Sequence, residues 1–456
     1  MAKLDIVIMA AGKGTRMKSA RPKVLHRLAG KSLLQHVLDA VAPLAAAKTV
    51  VITGHDAATV EAETAAQGLT FVRQQPQLGT GHAVQQVVPH LDDEGTTLIL
   101  YGDVPLIRAQ TAQALLDASA GGRVALLSFV PVNSARYGRI VRDDAGLVRA
   151  IVEFKDASPE QRAIREVYSG IMAAPTARLK RWVAALSKDN AQGEYYLTDI
   201  VAMAVADAVP VVAEVVADEA EVAGINDAAQ LAELERVVQR RQAAALMAQG
   251  VRLADPARFD LRGTLACGSD VEIDVGCGFE GRVTLADNVR IGAHCVIRDA
   301  QIEAGAVIHP FSHIEGARIG AGALIGPYAR LRPGADLGTD VHIGNFVEVK
   351  NSTLAAGAKA NHLAYIGDAT VGERVNYGAG SITANYDGAN KHRTVIGADV
   401  HVGSNCVLVA PITLGAGATI GGGSTIDKDA PAGQLTVARA KQVSIAGWKR
   451  PKKAAK

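Results

Sequence analysis

The chain has 456 residues, of which 48% are apolar, only 4% aromatic and 46 glycine. That is too long for one ordinary domain and better suited to aliphatic ladders than to aromatic cores. Its 48 basic and 46 acidic residues leave a net charge of +2, which calls for no polyanion partner. The one basic run, Lys449, Arg450, Lys452, Lys453 and Lys456, reads as a solvated tail and not as a nucleic-acid site.

Residues 1–228 alternate short β-branched runs with helical patterns. Leu4–Met9 reads as a strand with no cationic leader before it. Leu33–Leu44 follows as a helix, Thr49–Thr53 as a strand and Ala57–Ala66 as a helix. Phe71–Arg73, His82–Val88, Thr97–Tyr101 and Thr111–Ala118 continue the alternation. Such a pattern predicts βαβ units around a mainly parallel, Rossmann-like sheet, with ligands at the carboxyl ends of the strands. Residues 229–249 hold no Gly or Pro and read as one linking helix that stops at Gly250, so that a linker spans 229–250.

From about residue 251 to 456 the period changes. Aliphatics followed by a small or acidic residue recur every five or six positions, as in Ile291, Ile302, Ile319, Ile325, Leu331, Leu337 and Ile343. The series resumes at Ile366, Val371, Ile396, Val402, Leu414 and Ile420. A hexapeptide period sustained this long predicts a parallel β-helix with one inward aliphatic per face. Cysteines 267, 277, 295 and 406 have no metal-site spacing and read as small core residues in a reducing compartment. No apolar run is long enough to span a bilayer. A cytoplasmic protein is expected.

The first chemical signal is Met9-Ala10-Ala11-Gly12-Lys13-Gly14-Thr15-Arg16-Met17, followed by Arg21-Pro22-Lys23. A Gly-rich turn leaving a strand lets backbone N–H groups approach a phosphate. Arg16 and Lys23 bring positive charge for a triphosphate and a departing pyrophosphate. Gly12-x-Gly14 lacks both the third Gly of a dinucleotide fingerprint and the ending of a P-loop. Together with Arg16 and Pro22-Lys23 it resembles the signature of the sugar-1-phosphate nucleotidyltransferases. In the same family's terms, Gln74 and Leu78-Gly79-Thr80-Gly81 resemble the uracil-selecting segment. Asp103, in Tyr101-Gly102-Asp103 at a strand end, suits magnesium, and Asn226 matches a second ligand. Gly138 and Glu153 match sugar-holding positions. Tyr168 stands before Ser169-Gly170 where the family pattern has Asn. His26, His55 and His82 have no visible partner and are left as ordinary residues.

In the second half, the breaks in the repeat are informative. Arg332 and Lys350 lie in otherwise apolar coils. His362 lies where Ala360 replaces the expected inward aliphatic. Asn376 precedes Tyr377-Gly378, and after Ile382 a polar loop through Asn385-Tyr386-Asp387 must project from the helix. Acyl transfer from a thioester needs a base, oxyanion donors and cations for a substrate phosphate, and this set supplies candidates for each.

The constellation from Met9 to Arg439 resembles the bifunctional UDP-N-acetylglucosamine pyrophosphorylase/glucosamine-1-phosphate acetyltransferase family. The resemblance implies UTP, acetyl-CoA and Mg2+ as co-substrates and cofactor. It implies His362 as general base oriented by Glu348, with Arg332, Lys350 and Tyr365 on the sugar phosphate and Asn376 on the sugar. Ala379, Asn385, Tyr386, Ser404, Gly422 and Arg439 would line the acetyl-CoA groove. Where the family often has Ala, this chain has Gly422. A left-handed helix and a homotrimer with acetyl sites between subunits are implied in the same way. One alternative is a monofunctional nucleotidyltransferase with a purely structural β-helix; another is a non-catalytic scaffold, which the retained Gly12, Arg16, Lys23 and Asp103 argue against.

Overall fold

A computed structural model describes residues 3–64, 68–134, 137–451 and 453. Contacts divide the chain into two compact units, one ending at Val238 and the other beginning at Gln239. The C-terminal ends of the helix expected over Ala57–Ala66 (Ala65 and Ala66) and of the basic tail (Lys452 and Lys456) lie outside the described residues.

The first unit is built on β1 (Leu4–Met9), β2 (Lys48–Thr53), β3 (Thr70–Arg73), β4 (Thr96–Tyr101), β5 (Val124–Phe129), β6 (Val167–Pro175) and β7 (Val211–Val215). They lie in the order β7-β5-β6-β4-β1-β2-β3. Neighbours run parallel except around β6, which pairs antiparallel with both β4 and β5. The all-buried runs Ile6–Ile8, Val50–Ile52, Leu98–Leu100 and Val124–Leu127 show why. A strand covered by helices on both faces has no polar side, and this is the pattern of parallel sheets. The covering helices include Leu33–Val41, Ala57–Thr64, Thr80–Val87 and Ala109–Ala118. The segment expected as a helix to Leu44 leaves the α form at Val41, where Pro43 stands inside a 3-10 turn over Ala42–Leu44. Proline removes a donor and tightens the end.

A helix over Ala228–Ala248 carries the chain from the first unit into the second. There short strands stack in parallel, coil upon coil. One column runs Arg290–Ile291, Val307–Ile308, Leu324–Ile325, His342–Asn345, Lys359–His362, Asn376–Tyr377, His401–Val402 and Thr419–Ile420. Each coil consumes three hexads, so the aliphatics marked by the sequence period all point inward and are buried. In this column the inward ladder is Ile308, Ile325, Ile343, Ala360, Tyr377, Val402 and Ile420. The small Ala360 is the register partner of the large, buried Tyr377 on the next coil. Cys277, Cys295 and Cys406 are buried in this core, while Cys267 is half-buried at its margin.

Candidate functional sites

Backbone geometry comes first in the N-terminal unit. β1 ends at Met9, and the chain turns through Gly14 at φ 60°, where a Cβ would lie 2.7 Å from Cβ of Lys23. Only glycine accepts that conformation at that distance. Gly12 has open space on the side where a Cβ would stand, so backbone is presented bare to a cavity of about 540 Å3. Met9, Ala10, Ala11, Gly12, Lys23, Gln74, Gly79, Thr80, Tyr101, Asp103 and Asn226 line that cavity. Gln74 Nε2 donates to the Gly79 carbonyl at 2.9 Å, which ties the end of β3 to the segment opening the Thr80 helix.

The charged groups converge at the cavity mouth. Lys23 Nζ donates to Asp103 and, at 3.3 Å, to Oδ1 of Asn226; Arg16 Nη2 donates to the same Oδ1 at 2.8 Å. Asp103 follows β4 and Asn226 follows the short turn after Val222, joined by the Ile225 N–H bond to the Asp103 carbonyl at 2.9 Å. Two hard oxygen donors thus face one point already held by an ammonium. That donor set fits magnesium, which binds through one or two protein oxygens plus substrate phosphates.

A second cavity, of about 1110 Å3, shares Tyr101, Asp103 and Asn226 with the first and is lined further by Arg16, Gly224, Tyr137, Glu153, Ser169 and Gln192. Burial holds the Glu153 carboxyl above the usual range; the nearby Asp199 and Asp156 add to this, while the Thr198 hydroxyl, 3.2 Å away, opposes it. Gly138 backs Glu153, since a Cβ there would lie 3.6 Å from Glu153 Oε1 and 2.9 Å from Ile151 Cγ2. Tyr168 is placed differently from a sugar contact. Its ring is buried in the core and its hydroxyl donates to the Gly170 carbonyl at 2.6 Å, leaving the neighbouring Ser169 to line the cavity. His82, which has no partner in sequence, stands between Gln74 and Gln86 at 3.2 Å from each. Sequence reasoning missed Gln77, which bonds the Ala11 carbonyl, and Gln192, which bonds the Tyr196 hydroxyl at 2.8 Å. Gln77 lies between Gln74 and Leu78 in a segment already singled out, whereas Gln192 lies in no motif.

In the β-helix the coil repeat sets the site. Asn345 and His362 are register partners one coil apart, and His362 Nδ1 lies 2.7 Å from Asn345 Oδ1. Glu348 does not orient this imidazole. It accepts from Arg332 Nη1 at 2.8 Å, with Arg330 at 3.7 Å, because the outward column of the adjoining face stacks Arg330, Glu348 and Tyr365. Lys350, half-buried, shares the strand of Glu348. Tyr365 takes a 3.5 Å contact from the Asn385 amide, which also donates to Asp368. Asn376 Nδ2 lies 2.9 Å from His401 Nε2.

The projecting loop is ordered by its own bonds: the Ala389 and Asn390 N–H groups reach Asp387 Oδ1 at 2.8 and 2.7 Å, and His392 reaches Oδ2 at 2.6 Å. These donors hold the Asp387 carboxylate well below its usual range. Tyr386 is exposed there, with Lys391 over its ring. Ala379, Ser404 and Gly422 follow one another up the corner of successive coils, shown by the bonds from Asn405 to Ala379 and from Gly423 to Ser404, both 2.8 Å. Arg439 donates to the Gly422 carbonyl at 2.7 Å. A Cβ on Gly422 would lie 3.4 Å from the nearest atom, so the alanine of other family members fits here without movement.

Residues 6–250 match the MobA-like NTP transferase domain family, and residues 316–351 and 393–428 match the bacterial transferase hexapeptide family. The chain is 74% identical to the bifunctional protein GlmU of Methylibium petroleiphilum, over 99% of both chains. It is 66% identical to the bifunctional protein GlmU of Acidovorax ebreus over the whole of both. A nucleotidyltransferase unit and a hexapeptide β-helix, joined in one chain and matched end to end by these relatives, place the protein in the bifunctional GlmU family.

Proposed function

We infer that the chain performs two successive transfers. Acetyl passes from acetyl-CoA to glucosamine-1-phosphate at the β-helix. UMP then passes from UTP to N-acetylglucosamine-1-phosphate in the first unit, giving UDP-N-acetylglucosamine, a precursor of cell-wall polymers. The observation that carries this reading is the presence of both charged constellations, Arg16-Lys23-Asp103-Asn226 and Arg332-His362-Tyr365, in one chain. A β-helix that served assembly alone has no use for the second.

For uridylyl transfer, the bare backbone at Gly12 receives phosphate, and Gln74, Gly79 and Thr80 select the base. Arg16 and Lys23 offset charge as the sugar phosphate oxygen attacks the α-phosphorus in line and pyrophosphate departs. Gly138 and Glu153 hold the sugar. Mg2+, held by Asp103 and Asn226, supplies charge neutralisation on the phosphates.

For acetyl transfer, Arg332, Lys350 and Tyr365 hold the sugar phosphate and Asn376 the ring. His362 takes the amine proton as nitrogen attacks the thioester carbonyl and the CoA thiolate leaves. Ala379, Asn385, Tyr386, Ser404, Gly422 and Arg439 form the acetyl-CoA groove. The enzyme works in the cytoplasm as a homotrimer of left-handed β-helices.

The test is to supply UTP, Mg2+, acetyl-CoA and glucosamine-1-phosphate together and to follow free CoA and pyrophosphate. His362→Ala should lower CoA release by roughly 100- to 10,000-fold and leave uridylyl transfer from ready-made N-acetylglucosamine-1-phosphate intact. Asp103→Ala should do the reverse. Wild-type acetylation by His362→Ala would remove His362 from the base role.

A further inference from the structure

We propose that Asn345 is the positioning residue for the His362 imidazole, fixing its tautomer with Nδ1–H toward the amide and the Nε2 lone pair toward the acetyl acceptor. The proposal rests on the reading of His362 as base and names the partner that this reading requires.

The geometry begins with the coil. Asn345 and His362 occupy the same corner of successive coils, each just before a residue in the left-handed region, Phe346 at φ 56° and Leu363 at φ 50°. The Leu363 N–H donates to the Asn345 carbonyl at 3.0 Å, and the Gly380 N–H donates to the His362 carbonyl at 3.3 Å. The column around the imidazole therefore holds Asn345 on one side and Ala379 on the other. Below Asn345 the same corner carries Pro327, Pro310 and Ala293, which precede Tyr328, Phe311 and His294. Among these corner residues only Asn345 offers the ring a polar side chain.

The chemistry follows from the atom that faces the ring. An amide oxygen accepts and cannot donate, so the 2.7 Å contact from Asn345 Oδ1 requires the proton on Nδ1. The proton-free Nε2 is then the basic nitrogen, which is how a fixed second partner usually sets the working end of an imidazole. A carboxylate at this place would stabilise the imidazolium more strongly; a neutral amide orients the ring and leaves it ready to release its proton once the thioester has been opened. Nearby on the same sheet, burial and then the charges of Lys359, His309 and His362 hold the His342 imidazole below its usual value.

The test uses the full chain with Asn345→Ala and the near-isosteric Asn345→Asp. In Asn345→Ala, kcat for acetyl transfer should fall roughly 10- to 100-fold with the KM for acetyl-CoA unchanged, and 15N shifts of the His362 ring should show loss of the Nδ1–H form. Asn345→Asp should move the acid limb of the acetyl-transfer profile to higher pH by about one unit or more. Wild-type kcat together with an unmoved tautomer in Asn345→Ala, or an unmoved acid limb in Asn345→Asp, would overturn the proposal. Its failure is separable from that of the base assignment, because His362→Ala reports on the base whatever occupies position 345.

Discussion

Replacing Gly344 by alanine should unfold the β-helix earlier while leaving the first unit untouched. Gly344 is buried next to Asn345, and a Cβ built on it would lie 1.9 Å from the carbonyl oxygen of Asn361 on the next coil, with the Asn361 carbonyl carbon at 2.6 Å and Cα at 2.8 Å. All three are backbone atoms, so no rotamer change relieves the overlap. The coils must part by about 1 Å to restore an ordinary contact. The bonds that hold them there, Leu363 to Asn345 at 3.0 Å and His342 to Ala358 at 3.0 Å, would lengthen beyond useful range. Two such bonds at about 1 kcal/mol each, with a buried group left unpaired at roughly a further 1 kcal/mol, give a loss of roughly 3 kcal/mol. For a unit of this size that lowers Tm by roughly 6–12 °C. Calorimetry of the full chain measures it, with Gly422→Ala as the control: its Cβ makes only a 3.4 Å contact with Ser404 and should shift nothing. A Gly344→Ala transition within a degree or two of the parent would refute the reasoning.

Other outcomes are equally definite. Glu153 is held protonated to a higher pH in the folded chain than in the unfolded one, mainly by burial. Its favourable contribution is therefore full below the unfolded value and is lost as pH rises toward and through the folded one. Glu153→Gln should flatten this slope and make the first unit slightly more stable at pH 7 in urea titrations, while raising the KM for the sugar phosphate. The buried thiols of Cys277 and Cys295 are pushed up to about 11 and about 12, and Cys267 to about 11, by desolvation. None of the three should react with a thiol reagent in native protein at pH 8, and all should react in denaturant. Chelation of divalent metal should stop pyrophosphate release and leave CoA release unchanged, since among the described residues the paired oxygen donors Asp103 and Asn226 line the cavity of the first unit.

The sequence alone determined the architecture of each unit. Hydrophobic period is local information, and both periods, the βαβ alternation and the hexad, recur often enough to outvote any single residue. Ile291 through Ile420 could be assigned inward because a coil of three hexads returns each aliphatic to the same column. The Gly12-Gly14-Arg16 turn was legible for the same reason: a phosphate-approaching backbone needs those residue types within a few positions of each other.

What sequence left undecided was which side chains, far apart in the chain, meet. Arg16 and Asn226 stand 210 positions apart, and only the sheet order that brings β1 beside β4 sets both at one cavity mouth. Tyr168 stands where the family pattern has an Asn, and only the course of β6 shows that its ring is turned into the core. The family resemblance implies Glu348 as the partner of His362, yet it faces along the column of Arg330 and Tyr365. Asn345 was hidden in a regular stretch, although it precedes His362 by 17 residues, one turn of the helix. A coil period identifies such pairs only once the face each residue occupies is known, and that is fixed by the three-dimensional winding of the backbone.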